Sequence, residues 1–294
     1  MSTLDGKSAI VTGAGAGLGR AEALALAKQG AAVVVNDYDE TAAQSVVDEI
    51  TAAGGQATAA PGDISSWAVA EGLVQQAISS YGQLDILVNN AGVLRDRTIF
   101  NISEQEWDTV IGVHLKGHAG TSRFATAHWR DRSKASGQEV YGRVINTSSE
   151  AFLYGSAGQP NYAAAKAGIV ALTLATAKAC ARYGVKANAI CPRARTAMTE
   201  AVFGAAPEGT DPLSVDHVAP LVAYLASPAA AAISGQVFVA YGPMVALATA
   251  PGVEKRFDAS GASWSDDELS AVLGEHFAGR DPELTFAADA FMKL

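Results

Sequence analysis

Residues 11–20, VTGAGAGLGR, place Gly13, Gly15, Gly17 and Gly19 at every second position. They end a short apolar run, SAIVTG (8–13), and open an alanine-rich stretch that predicts a helix from Leu18 to Gln29. A strand-to-helix turn without side chains lets the backbone approach a pyrophosphate, and the helix start offers free N–H groups and a positive dipole end. Glycine-rich turns also serve tight packing of a strand on a helix. Position favours the first: this turn joins the first strand to the first helix, with no charged residue between Glu22 and Lys28. Gly13, Gly15, Gly17, Leu18 and Gly19 are therefore candidate contacts for a dinucleotide.

The same alternation continues along the chain. AAVVVND (31–37) reads as a second buried strand, followed by a helix near 40–53. QATAAPGD (56–63), a helix near 66–80 and LDILVNNAG (84–92) come next. Ser103 and Glu106 have capping-box spacing and open a long helical region. YGRVINTSS (141–149), a helix over 161–183, VKANAICP (185–192), a helix near 214–226 and QVFVAYG (236–242) complete the pattern. Continuous apolar strands alternating with helices predict an α/β fold, a Rossmann-like doubly wound parallel sheet covered on both faces. One domain is expected over 1–242, with 243–294 as a C-terminal extension. Within the extension, SWSDDELSAVLGEHF (263–277) reads as a helix capped by Ser265 and Glu268.

Composition narrows the function. The 294 residues are 49% hydrophobic and 17% charged, with a net charge of −9, which argues against nucleic acid or an anionic membrane surface as a partner. Cys180 and Cys191 have no metal-ligand spacing and fit a reducing compartment, and no secretory signal opens the sequence, so a cytoplasmic location is expected. Val218–Val253 lacks charge, but Pro220, Pro228, Gly235 and Pro243 interrupt it before a membrane span is reached.

Asp37 ends the second strand, 18 residues beyond Gly19. A carboxylate there accepts ribose hydroxyls of NAD and repels the 2′-phosphate of NADP, so NAD is the expected cofactor. Asp39 is the competing choice, but it falls nearer the start of the next helix. Asp63, with Ile64, follows the third strand, where a short acid serves either adenine or the turn itself. Asn89, Asn90, Ala91 and Gly92 follow the fourth strand, again at the carboxyl edge where doubly wound folds bind ligands.

Tyr162 and Lys166 lie four apart on a predicted helix and share a face. A phenol with pKa near 10 is a poor proton acceptor at neutral pH, and a neighbouring ammonium stabilises the phenolate. Ser149, at the end of a strand, is placed to hold a substrate oxygen beside that phenol. His114 and His118 in WDTVIGVHLKGHAG (107–120) also have helical spacing, but there is no HExxH carboxylate and no third ligand, so no metal is expected.

TGxxxGxG at 12–19, NNAG at 89–92, Ser149 thirteen positions before Tyr162, and YxxxK at 162–166 together resemble the short-chain dehydrogenase/reductase family. The likeness spans about residues 6–242. It implies hydride transfer between a nicotinamide and an alcohol or ketone. Tyr162 would be the proton donor or acceptor, Ser149 the substrate orienter, and Lys166 the pKa tuner and a ribose ligand. The family usually has asparagine where VHLKG (113–117) has His114, which implies a relay role for that histidine. A histidine in this motif, with TGAGAGLGRA, NNAGVLRDR and YGSAGQPNYAAAK, is similar to the dehydrogenase unit of peroxisomal multifunctional enzyme type 2. Thr196 is the implied contact for the nicotinamide carboxamide, with Thr199 as second choice.

The resemblance implies NAD-dependent oxidation of a bulky apolar secondary alcohol, a 3-hydroxyacyl-CoA or a hydroxysteroid. An NADPH-dependent 3-oxoacyl or general carbonyl reductase is the alternative, and an idle NAD-binding sensor the more distant one. The apolar segment from Ala197 to Gly204 is expected to cover the substrate. Arg95, Arg97, Arg193 and Arg195 would meet CoA phosphates or stand solvated on the surface. A homotetramer or homodimer is expected, with the extension packing on a neighbour or over the substrate mouth.

Overall fold

β1 (Ser8–Thr12) and β2 (Ala32–Asn36) are buried at every position because both faces of their sheet are covered. Alternate side chains feed two separate cores. Ala9, Val11, Val33 and Val35 join one face with Leu26 and Val222, while Ile10 and Val34 join the other with Leu73 and Trp129. This is the two-residue period of a strand applied twice, which is why the run looks uniformly apolar in sequence. The computed structural model describes residues 3–199, 203–281 and 285–288.

The remaining strands are β3 (Gln56–Ala59), β4 (Ile86–Asn89), β5 (Gly142–Thr147), β6 (Val185–Pro192), β7 (Val237–Tyr241) and β8 (Met244–Leu247). Their order is β3-β2-β1-β4-β5-β6-β7-β8, with β1 to β7 parallel and β8 antiparallel to β7. The chain reverses direction across the sheet between β1 and β4, so the loops after these two strands meet at one carboxyl edge. That switch point is where this architecture binds ligands.

Helices α1 (Gly17–Lys28), α2 (Glu40–Ala52) and α3 (Trp67–Tyr81) fall where the pattern predicts them. The Ser103–Glu106 capping box is formed and starts α4 (Glu104–Ile111). A π-helical turn, Gly112–Lys116, then leads into α5 (Gly117–Ser136). A short α6 (Ala151–Tyr154) follows β5, and α7 (Pro160–Cys180) begins with a proline in its first turn, where the missing N–H costs nothing. The helix expected near 214–226 is a 3₁₀ turn, Val215–His217, followed by α8 (Ala219–Ala226).

Two compact units divide the chain, Met1–Ala248 and Thr249–Leu294. The expected boundary at Gly242 is six residues early, because Gly242 (φ +50°) is itself the turn that brings β8 back against β7. In the second unit, Ser265 caps α9 (Asp266–Ala278) by accepting the Glu268 N–H at 3.2 Å. The Glu268 carboxylate accepts instead from the Ser260 N–H at 2.7 Å, so only half of the expected capping box forms.

Candidate active site

The loop after β1 is fitted to the loop after β4. Thr12 Oγ1 accepts the N–H groups of Asn90 (3.0 Å) and Ala91 (3.2 Å). The Asn90 amide donates to the carbonyls of Thr12 and Gly13, both at 3.1 Å, so this side chain braces the glycine turn. A Cβ on Gly13, whose φ is +62°, would stand 2.7 Å from Ala91 Cα. A Cβ on Gly19 would collide with Gly13 O and stand near the Asn90 amide. The turn is thus a cradle that side chains would fill.

A cleft of 760 Å³ opens above this cradle. Gly13, Gly17, Leu18, Asn90, Ala91 and Gly92 form its floor, and Thr196 stands over Gly17 on the far side. Asp37, Asp63 and Ile64 line one end; His114, Tyr162 and Lys166 line the other. Gly15 and Gly19 lie within the turn without lining the cleft, and Ser149 lies beside Tyr162, whose phenol it pulls down. An open-sided cradle at a helix start, a carboxylate at one end and a phenol at the other fit a nicotinamide dinucleotide.

Asp37 Oδ2 accepts the Gly15 N–H at 2.9 Å, which fixes the carboxylate at the lip of the cradle. Asp39 caps α2 by accepting from Thr41 and Ala42, so it is the structural one of the pair. Tyr38, 82% exposed, also lines this end, and nothing in the sequence pattern singled it out. Asp63 Oδ1 accepts from the Ser65 N–H at 2.9 Å while its residue borders the cleft, so the turn reading holds at the cofactor edge. Thr196 and Thr199 are coupled, with Thr199 Oγ1 accepting the Thr196 N–H at 2.9 Å and donating to Ala194 O.

At the other end, Ser148 pairs with β6 through its N–H to Ile190 O, and Ser149 is the next residue. Burial pushes the Tyr162 phenol up to about 12, against a downward pull from its hydrogen bond with Ser149. Lys166 Nζ is 5.2 Å from the centre of the Tyr162 ring but donates to Thr147 O at 2.6 Å. Burial lowers Lys166 to about 7. In the protein alone burial dominates both groups, so the phenol lies above its ordinary value and the ammonium below its own.

His114 sits on the π-helical turn, buried, with Nε2 3.0 Å from Val93 N and 2.8 Å from Val93 O. A neutral ring satisfies one of the two, as acceptor or as donor. Burial, then the Lys166 charge, holds it well below its ordinary pKa. Gly92 makes room for it: a Cβ there would press into the ring, 3.1 Å from both nitrogens. His118 is as deeply buried, and burial, then the Lys166 charge, brings it down to about 3. His114 Nδ1, His118 Nε2 and Thr147 Oγ1 have no hydrogen-bond partner among the described residues. Among the described residues no three His, Cys, Asp or Glu side chains cluster as metal ligands.

Beneath the site, Asn89 donates to Asn146 Oδ1 (2.9 Å) and accepts from Thr121 (2.6 Å), while Asn146 donates to Thr173 Oγ1 (2.9 Å). This buried, satisfied network ties β4, β5, α5 and α7 together and rigidifies the catalytic end. Asn146 and Thr173 carry no sequence signal for it.

The arginines expected at CoA phosphates or on the surface are mostly engaged elsewhere. Arg193 makes a two-pronged pair with Glu150 (2.7 and 2.8 Å), and Arg195 pairs with Asp211 (2.9 Å). Arg97 lies 3.2 Å from Glu106. Arg95 borders the cleft and donates to Leu94 O. Of the segment from Ala197 to Gly204, residues 200–202 lie outside the described residues; Ala197, Met198 and Thr199 line the cleft.

The chain matches the family model for short chain dehydrogenases over residues 7–205. It is 58% identical to hydroxyacyl-CoA dehydrogenase ChsB1 of Mycobacterium tuberculosis, over 99% of this chain and 94% of that protein. It is 44% identical to peroxisomal multifunctional enzyme type 2 of Drosophila melanogaster, over 75% of this chain but only 36% of that longer protein. A solved short chain dehydrogenase from Mycobacterium avium superposes with a TM-score of 0.88 at 49% identity, covering 97% of this chain and 99% of that one. The chain belongs to the short chain dehydrogenase family, and it is a nicotinamide-dependent oxidoreductase acting on CH–OH groups.

Proposed function

We propose that the protein is an NAD-dependent dehydrogenase that oxidises the secondary hydroxyl of a 3-hydroxyacyl-CoA, or of a hydroxysteroid, in lipid or steroid breakdown. The observation that carries this reading is 58% identity along nearly the whole chain to a hydroxyacyl-CoA dehydrogenase. NAD is preferred to NADP because Asp37 is fixed at the lip of the cradle, where its charge opposes a 2′-phosphate. By family likeness the working form is a homotetramer or homodimer. The free thiols Cys180 and Cys191 agree with a cytoplasmic setting.

When bound, the nicotinamide supplies the hydride acceptor for the carbinol carbon. Everything else falls to the side chains. Ser149 donates to the substrate oxygen and holds it beside the phenol of Tyr162. Tyr162, as phenolate, takes the hydroxyl proton while the C–H electron pair leaves as hydride, so the alcohol becomes a ketone. Lys166 holds Thr147 O and meets the ribose, and neutral His114 exchanges the proton onward. The same residues run the reverse reduction with Tyr162 as acid.

A substrate panel followed by NADH absorbance tests this reading. Turnover is expected on 3-hydroxyacyl-CoA or hydroxysteroid with NAD, and slower with NADP. Activity confined to small sugars or polyols would overturn it.

A further inference from the structure

Two arginines close to the cleft are tied to carboxylates, and one of those ties reaches the residue next to the catalytic serine. Arg193 Nε and Nη2 donate to Glu150 Oε2 and Oε1 at 2.7 and 2.8 Å. The side chains are 18% and 11% exposed, so the pair is largely shielded from water. We propose that the Arg193–Glu150 pair is a positioning clamp that sets Ser149 against Tyr162. The proposal rests on the dehydrogenase reading above and deepens it.

The clamp begins where the chain leaves the sheet. Ser148 is still held on β6, its N–H donating to Ile190 O at 2.7 Å. Ser149 is the first residue beyond that anchor, and its Oγ accepts a 3.2 Å N–H from Ala151 within the same short turn. Glu150 is the next residue, and its carboxylate is gripped by Arg193. Arg193 is rigid in its own right: its N–H donates to Ala240 O at 2.9 Å, continuing the β6–β7 ladder. Its guanidinium also lies 5.8 Å from the centre of the Tyr241 ring on β7. Ser149 is therefore held from both sides by the β6 edge, through the backbone on one flank and the ion pair on the other. A planar fork on a carboxylate fixes direction as well as distance, which a lysine does not. Arg193 also lies three residues before Thr196, so one clamp sets the serine wall and the threonine wall of the cleft in register.

Ion pairing alone does not distinguish a clamp from a stabilising contact, so the test removes both charges together. Replacing a buried pair by apolar side chains of similar volume is often neutral or stabilising, which keeps E150M/R193M folded. In its crystal structure Ser149 Oγ is expected to stand displaced from the Tyr162 hydroxyl relative to its place in the wild-type protein. On whichever alcohol the wild-type protein oxidises, kcat is expected to fall by about tenfold or more, while KM for the cofactor stays within about twofold. R193K, which keeps the charge and loses the fork, is expected to show the same split to a smaller degree.

A double variant with Ser149 unmoved, or with kcat within about twofold of wild type, overturns the clamp. The crystal structure reads Ser149 without any substrate. The inference can therefore fail while the hydroxyacyl-CoA reading stands, and the placement of Ser149 can hold while that reading fails.

Discussion

His114 stands edge-on to Tyr162, with ring centroids 5.2 Å apart and ring planes at 88°. The contact links the π-helical turn Gly112–Lys116 to the first turn of α7, so the phenol is backed by an imidazole that burial keeps neutral. A neutral ring can take a proton on one nitrogen as it gives one from the other, which a buried cation cannot.

His114→Ala is therefore expected to lower kcat by about 100-fold, in the range of a lost proton-transfer group. NAD affinity, read by fluorescence titration, is expected to change little. Gly92→Ala is expected to mimic this loss, because its methyl would press into the His114 ring. Unchanged turnover in both variants would remove His114 from the reaction.

Asp37→Ala tests the cofactor preference. The carboxylate that holds the Gly15 N–H at 2.9 Å also lines one end of the cleft. Its loss is expected to raise KM for NAD and to lower KM for NADP, each by about tenfold, equivalent to about 1.4 kcal/mol. Equal discrimination by wild type and variant places the preference elsewhere.

The pH dependence of alcohol oxidation follows from Tyr162. Its pKa is pushed up to about 12 by burial, so the accepting phenolate is a minor form at neutral pH and grows as pH rises. kcat/KM for the alcohol is expected to climb through the neutral range by up to about tenfold per pH unit, and reduction of the ketone to show no such climb. A flat oxidation profile from pH about 6 to 9 contradicts this assignment.

Glu22 gives a stability test away from the chemistry. It lies on α1, fully buried, with both carboxylate oxygens unpartnered among the described residues. Burial raises it to about 8 from 4.5. Between these values the unfolded chain ionises and the folded one does not, so stability falls as pH rises through that window and levels off above about 8. The slope within the window is about 1.4 kcal/mol per pH unit. Glu22→Gln, which mimics the protonated acid, is expected to remove that fall, read as the difference in Tm between variant and wild type across the window. A constant difference refutes it.

Much of this molecule is legible in its sequence because its ligand loops are local. The glycine turn, NNAG and the Tyr162–Lys166 pair each occupy one short stretch at a strand end or on one helix face, and each lies where the pattern placed it. What escaped is non-local. Arg193 finds Glu150 across 43 residues and Arg195 finds Asp211 across 16, and no spacing rule links such partners. β8 is four residues of a charge-free stretch whose hairpin turn looked like a domain end. The π-helical turn adds no change in hydrophobic period, and the burial of His118 depends on how α5 packs in the folded chain. Desolvation is invisible for the same reason, which is why the Tyr162 shift runs opposite to the one expected from Lys166 alone.

The most direct test of the account is the rate of NADH formation from a 3-hydroxyacyl-CoA by wild-type protein and by Tyr162→Phe, which keeps the ring against His114 and removes only the proton acceptor. The account predicts robust NAD-linked turnover by the wild type and a loss of at least about 100-fold in the variant, with NAD binding retained. Equal rates in the two proteins would contradict it.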